Sequence, residues 1–300
     1  MKGLINLIEE KSLGTYKENV SLKTLTTYKT GGTAKLLVFP NSVDSLKEIL
    51  KYIKENNIKF KVFGNGSNIL ASSREYDGVI IKLTNLRNFT QKGENIEVEA
   101  GYNFALLANT LSKEGYSGLE FACGIPATVG GAVYMNAGAY LSDVSKVLVK
   151  VEFLDENLEL KTLENKDLSF SYRHSIFMNK DWIILKAYFK LKKDNKDEII
   201  ALINDRKRRR IESQPLEYPS AGSVFRNPPD NFAGKLIEDV GLKGLKKGGA
   251  MISSKHANFI VNYKNAKSSD IKYLIDLAHD KVLEEYGINM KIEQEFVNWE

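Results

Sequence analysis

One arginine, one serine and two glutamates stand in this chain where their types can do chemistry. Arg173 lies in Ser171-Tyr172-Arg173-His174-Ser175. A guanidinium presents a planar fork of donors that grips a carboxylate at two points, which an ammonium does not. Arg173 is therefore either a carboxylate clamp or an ordinary surface arginine, and His174 beside it is given no catalytic role. Ser223 follows a glycine in Ser220-Ala221-Gly222-Ser223-Val224-Phe225-Arg226-Asn227-Pro228 and reads as a nucleophile, a proton donor or a turn residue. No GxSxG elbow surrounds it and no His–Asp pair has a recognisable spacing, so hydrolase chemistry is not supported. Glu293 and Glu295 lie between Ile292 and Phe296. Residues two apart on a strand share a face, so either one carboxylate serves a site or both are solvated edge charges.

A second kind of chemistry belongs to the backbone. Residues 118–138, GLEFACGIPATVGGAVYMNAG, hold five glycines, one proline and almost no charge, with no helical or strand period. Glycine is needed where the chain takes positive φ or comes very close to a neighbour. The stretch reads as a wall of backbone against a large ligand, the alternative being a buried crossover loop. Gly64-Asn65-Gly66-Ser67-Asn68 directly follows an expected strand. Its N–H groups can form an anion nest, with side-chain donors from Ser67 and Asn68; taken alone, an empty glycine turn fits better. It is neither a Walker loop nor GxGxxG. Thr30-Gly31-Gly32-Thr33-Ala34 is a second small-residue turn. A dinucleotide needs N–H donors for its diphosphate and close backbone for its flat ring, and the two kinds of segment match those two needs.

These groups must be held by regular elements. Val43, Leu46, Ile49, Leu50 and Ile53 recur on one face and predict a helix over residues 43–57. Strands are predicted over 58–62, 78–83, 95–100 and 182–191, and a hairpin over 144–163 turning at Asp155-Glu156-Asn157. Asn103 is the expected cap of a helix that ends near Gly115. A helix over 197–213 carries Arg206-Lys207-Arg208-Arg209-Arg210, and a last helix runs from a Ser269 cap to Tyr286, with Gly287 ending it. The expected organisation is a first lobe over 1–86, a second over 87–195 and a third over 196–300.

Composition narrows the classes. The chain has 300 residues, 43% hydrophobic and 27% charged, with a net charge of +5, which is the profile of a globular protein. A single cysteine, Cys123, leaves no disulfide within the chain and no cysteine metal cluster, and the three histidines have no ligand spacing. No metal site is expected. No apolar stretch is long enough for a membrane span and the N-terminus lacks a signal core, so a cytoplasmic location is expected. The Arg206–Arg210 run is not interleaved with aromatic residues, as a single-strand platform would be, so no nucleic-acid partner is expected.

In their order these segments resemble the UDP-N-acetylenolpyruvoylglucosamine reductase family, in its shorter type II branch. The matching pieces are Thr30-Gly31-Gly32, GNGSNIL at 64–70, GLEFACGIPATVGGAVYMNAGAY at 118–140 and SYRHSIF at 171–177, followed by QPLEYPSAGSVFRNP at 214–228, GKLIEDVGLKG at 234–244 and HANFIVN at 256–262. Ala127 stands where the family usually has glycine, and the end reads EQEFVNWE where it usually has Glu-Val followed by Ile-Gly.

The resemblance implies an α+β fold: a two-lobed FAD-binding domain of the vanillyl-alcohol-oxidase type, plus a C-terminal α/β substrate domain whose tail returns to the active site. It implies noncovalent FAD, NADPH as co-substrate and a monomer acting on UDP-N-acetylglucosamine enolpyruvate. FAD would lie on Thr30, Gly31, Gly64, Asn65, Gly66, Ser67, Asn68, Gly118, Gly124, Ile125, Pro126, Thr128, Gly130, Gly131, Ala132, Asn136, Ala137 and Gly138. Substrate would meet Tyr172, Asn227, Lys235, His256 and Asn258. In the implied reaction a hydride reaches C3 of the enolpyruvyl group by way of the flavin, Arg173 polarises the carboxylate, Glu295 shapes the charge there and Ser223 protonates C2. Glu293 is the alternative to Glu295.

Overall fold

The structure, a computed structural model, describes residues 1–299. By contact the chain forms two compact units, neither continuous in sequence. Unit 1 takes Met1–Glu18, Lys35–Asn65 and Asp77–Arg208; unit 2 takes Asn19–Ala34, Gly66–Tyr76 and the chain from Arg209 onward.

In unit 1 the helix Val43–Glu55 forms where the apolar period predicts it, and Leu46, Ile49, Leu50 and Ile53 are buried. The Ser42 hydroxyl accepts from Ser45 N at 3.0 Å and starts the helix. It shares its core with the helix Lys2–Glu10 through Leu4 and Ile8. A four-stranded sheet runs in the order Gly14–Ser21, Thr33–Pro40, Tyr76–Ile81, Phe60–Val62, the last two parallel. The second sheet has five antiparallel strands in the order Leu160–Glu164, Leu148–Leu154, Ile183–Lys190, Asn95–Glu99, Phe89–Lys92. The hairpin turns at Asp155 as expected. Its carboxylate accepts from Asn157 N at 2.9 Å and Glu159 N at 2.8 Å. Asn103 caps the helix Phe104–Lys113 as predicted, accepting from Leu106 N at 2.8 Å.

Residues 118–138 depart from the expectation of no regular structure. A 3₁₀ turn spans Glu120–Gly124 and a short α-helix spans Val129–Tyr134, capped by the Thr128 hydroxyl. Its glycines hide the helical period but have a packing reason. A Cβ on Gly130 would stand 3.0 Å from Ala100 Cβ, and Gly130 N donates to Ala100 O at 2.8 Å. The backbone itself is the packing surface here, as a periodic side-chain pattern cannot record.

In unit 2 three antiparallel strands, Lys246–Lys247, Ala250–Ile252 and Ile260–Asn262, belong to the same unit as the helix Ser268–Tyr286. That helix buries Ile271, Leu274, Ile275, Ala278 and Val282. It begins one residue before the predicted Ser269 cap, with Lys267 in the capping position. The Asp270 carboxylate accepts from Lys267 N at 3.0 Å, the reciprocal half of a capping box, and ties the capping residue to the first turn. Gly287 ends it at φ 66°, as predicted. The strand Glu295–Val297 pairs in parallel with Ile69–Ala71, and Trp299 Nε1 donates to Leu70 O at 2.8 Å. No helix of the described residues is long and apolar enough to cross a membrane.

Candidate active site

Five of the residues singled out from sequence come together in unit 2. Ser223, Asn227, Lys235, His256 and Asn258 line one cavity of about 350 Å³, together with Phe232, Gly234, Glu238, Lys255 and Ala257. The helix Ala233–Asp239 brings Lys235, whose ammonium pairs with Asp239 one turn on. Asn227 Oδ1 accepts from Ala233 N at 3.1 Å and fixes the start of that helix. Gly234 makes room for the imidazole, since a Cβ there would lie 3.0 Å from His256 Cε1. Burial pushes His256 below its ordinary value, helped by Lys243 and opposed by Glu238. The ring is therefore neutral near pH 7. Its Nδ1 accepts from Asn258 N at 3.2 Å, which leaves the proton on Nε2 as a donor. Two ammoniums against one carboxylate give the lining a net positive charge that suits an anion.

Asn258 is a different kind of lining residue. It is 3% exposed; its Nδ2 donates to Phe225 O at 2.8 Å and its Oδ1 accepts from Phe225 N at 2.9 Å. Its side-chain amide therefore fixes the backbone two residues past Ser223. Val224 N donates to Asn258 O at 2.9 Å, and Glu293 N to Val224 O at 2.8 Å. Gly222 turns the chain at φ 74° just before Ser223. Of the two glutamates, Glu295 begins the strand beside Ile69, and its N–H donates to Asn68 O at 2.8 Å. Asn68 Nδ2 donates to Glu293 O at 2.9 Å. Asn68 is thus tied to the backbone of both glutamates.

The remaining expected cofactor residues of unit 2 are Thr30, Gly31, Gly66 and Ser67. Gly66, at φ 65°, is packed so that a Cβ would stand 2.1 Å from Leu25 O. Gly31, at φ 128°, would bring one within 2.8 Å of Leu22 Cβ. Thr30 Oγ1 is buried without a hydrogen-bond partner, an omission that normally costs about 1–3 kcal/mol.

In unit 1, Gly64 lies against Thr128, whose Oγ1 would be 2.6 Å from an added Cβ, and Asn65 Nδ2 donates to Pro126 O at 3.1 Å. The glycine turn and the stretch 118–138 are therefore in direct contact. Glu120 accepts from Gly118 N at 3.1 and 3.0 Å through its two oxygens. Gly124, Ile125, Gly131, Ala137 and Gly138 stay partly exposed and Pro126 is exposed, whereas Thr128, Ala132 and Asn136 are buried. These features fit a cofactor: a close-packed backbone cradle in unit 1 and, in unit 2, an orphaned hydroxyl beside glycines. Cys123 is buried, and burial pushes its thiol up to about 11.

Tyr172 and Arg173 form the tip of a tight turn in unit 1, closed by Ser171 N to His174 O at 3.2 Å and His174 N to Ser171 O at 3.1 Å. Arg173 occupies the left-handed region at φ 55°. Asn136 Nδ2 donates to Ser171 O at 2.9 Å, and Arg173 Nη2 to Gly138 O at 2.7 Å. The glycine stretch thus holds both the turn and its guanidinium.

Comparison with known proteins decides the family. The C-terminal domain of UDP-N-acetylenolpyruvoylglucosamine reductase matches residues 214–297, and an FAD binding domain matches residues 34–164. The UDP-N-acetylenolpyruvoylglucosamine reductase of Caldicellulosiruptor saccharolyticus is 47% identical over 92% of this chain and 90% of its own length. That of Bacillus pumilus is 43% identical over the whole of both. The chain belongs to the UDP-N-acetylenolpyruvoylglucosamine reductase family. It is an FAD-dependent oxidoreductase of that family. The family's crystal structure from Thermus caldophilus superposes with a TM-score of 0.81 at 35% identity, covering 94% of this chain and all of that one. A glucose dehydrogenase, Phl p 4.0202, shares the fold alone, with a TM-score of 0.51 at 12% identity over 65% of this chain and 44% of that one.

Sequence reasoning missed Phe232, Lys255 and Gln294. Phe232 is 71% exposed at the rim of the cavity, and Lys255 lines it. Gln294 belongs to no motif in the sequence; the structure buries it between two partly exposed glutamates.

Proposed function

We propose that the protein reduces UDP-N-acetylglucosamine enolpyruvate to UDP-N-acetylmuramate at the expense of NADPH. In this reading residues 1–86 and 87–195 serve the cofactor and residues 196–300 the substrate. When bound, FAD supplies the hydride relay between the two substrates, and the residues that would hold it are those of 30–31, 64–68 and 118–138. The chain's own groups do the rest. An enol ether is electron-rich, so addition at C3 requires that charge arriving at C2 be drawn into the adjacent carboxylate. The Arg173 fork matches that carboxylate. Its left-handed backbone is the kind of local strain that persists where position matters. Glu295, or Glu293, tunes the charge beside it. Ser223 hands its hydroxyl proton to C2, a short transfer to a very basic carbon. Lys235 faces the diphosphate as a point charge, His256 offers Nε2–H, Asn227 orders the helix that carries Lys235, and Tyr172 accompanies Arg173 at the turn.

The observation that supports this reading most is the cavity in unit 2. It gathers the proposed proton donor with all four residues expected to hold the nucleotide on unit 2, and its lining is net positive. The test is NADPH oxidation by the flavin-loaded protein. Oxidation that depends on the enolpyruvyl substrate and yields UDP-N-acetylmuramate is expected. NADPH consumption indifferent to that substrate would overturn the reading.

A further inference from the structure

Ser223 has no helix or strand of its own to hold it, so its aim depends on what grips the turn. Asn258 grips residues 224 and 225 from one flank. The other flank belongs to Gln294. It is 5% exposed, and its Nε2 faces Ala221 O at 3.2 Å, Gly222 O at 3.3 Å and Ser223 O at 3.5 Å. An amide NH₂ has two hydrogens for these three acceptors, so it bridges the turn as a whole. Its orientation is fixed in turn: Tyr28 O–H donates to Gln294 Oε1 at 3.1 Å. Tyr28 is fully buried, and burial raises its hydroxyl far above the ordinary value, so it remains a donor at any working pH. Tyr28 is itself anchored, since Asn262 Nδ2 donates to Tyr28 O at 2.9 Å. A buried chain of polar groups therefore runs from Asn262 through Tyr28 and Gln294 to the carbonyl of Ser223.

We infer that Gln294, oriented by Tyr28, is a positioning residue that sets where the Ser223 hydroxyl points when it protonates C2. The inference rests on the proposed role of Ser223. Buried polar networks of this kind specify one geometry when every member is satisfied and lose it when one is removed. Misplacing a reacting group by about 1 Å can cost ~10²-fold in rate. Gln294 does not itself line the cavity, and its amide nitrogen meets the backbone carbonyls of residues 221–223, so it acts through the serine.

The decisive experiment is stopped-flow of the flavin-loaded enzyme. It measures flavin reduction by NADPH and reoxidation by UDP-N-acetylglucosamine enolpyruvate separately, in Gln294→Met, Tyr28→Phe and Ser223→Ala. Gln294→Met keeps length and apolar volume but removes the amide. It is expected to leave reduction within about twofold and to slow reoxidation roughly 10–100-fold. The solvent deuterium isotope effect on reoxidation should rise, because proton delivery becomes limiting. Hydrogen exchange of the amides of residues 221–224 should quicken, a readout independent of turnover. Tyr28→Phe should shift the same quantities in the same direction by less. Should Gln294→Met fail to fold, Tyr28→Phe decides alone. Equal slowing of both half-reactions, or unchanged reoxidation while Ser223→Ala is slow, would overturn the role of Gln294 and leave that of Ser223 standing. Unimpaired reoxidation in Ser223→Ala would overturn both.

Discussion

Single residues were legible where their chemistry is short-ranged. The fork of Arg173 and the turn around Ser223 could be named from type and neighbours. What their neighbours were doing could not. Asn258 is bonded to Phe225, 33 positions away, and Gln294 to Ala221, 73 positions away. No spacing rule connects such pairs. The environment of His256 was hidden for the same reason, and it has a measurable effect. Burial lowers its pKa below 6.5 in the folded chain. As pH falls through 6.5 the unfolded chain takes up the proton first, so acid favours unfolding until the folded-state value is passed. The contribution of His256 to stability is thus fullest above 6.5 and is lost below it. His279, raised by Asp280 and Asn289, contributes the opposite slope and is unchanged by substitution elsewhere. His256→Gln should therefore make the melting temperature fall less between about pH 7 and pH 5.5 than it does in the wild type. Differential scanning calorimetry at matched ionic strength measures this; parallel curves for the two proteins would refute it.

Elements were legible where side chains keep a period or a cap. The helix Val43–Glu55 and the capped helix after Asn103 are such cases. The helix Val129–Tyr134 was not, because Gly130 answers to Ala100 rather than to a helical face. Glycine was also the most informative residue type for the turns. Gly66 combines a left-handed φ of 65° with a backbone oxygen 2.1 Å from any added Cβ. Neither a side-chain rotation nor a small shift relieves that overlap. Gly66→Ala should therefore destabilise by more than about 2 kcal/mol, the sum of left-handed strain and forced repacking. Gly93→Ala, equally left-handed but with open space around it, should lose only the strain, about 1 kcal/mol. Urea midpoints of the two variants compare them directly; similar losses would show that backbone strain alone governs both.

At the scale of the molecule, sequence order says little about which segments fold together. The core of unit 2 unites Tyr28 and Leu70 with residues from Ala221 to Met290. Neither early segment has a composition that marks it as belonging with the chain two hundred positions later. A fragment beginning at Arg209 lacks Tyr28, Leu70 and the strand Ile69–Ala71 that receives Glu295–Val297. Its amide proton spectrum should be poorly dispersed, and adding a peptide of residues 19–76 should not fully restore it; a well-dispersed spectrum from the fragment alone would count against this account of the core. The same pairing sets a schedule for biosynthesis. Trp299 and its acceptor Leu70 are 229 positions apart. At ~5–20 residues per second, Leu70 leaves the ribosome roughly 10–50 s before its partner is made. For that interval the apolar segment Ile69–Ala71 stays unpaired on the nascent chain, the kind of exposed apolar stretch that chaperones shield.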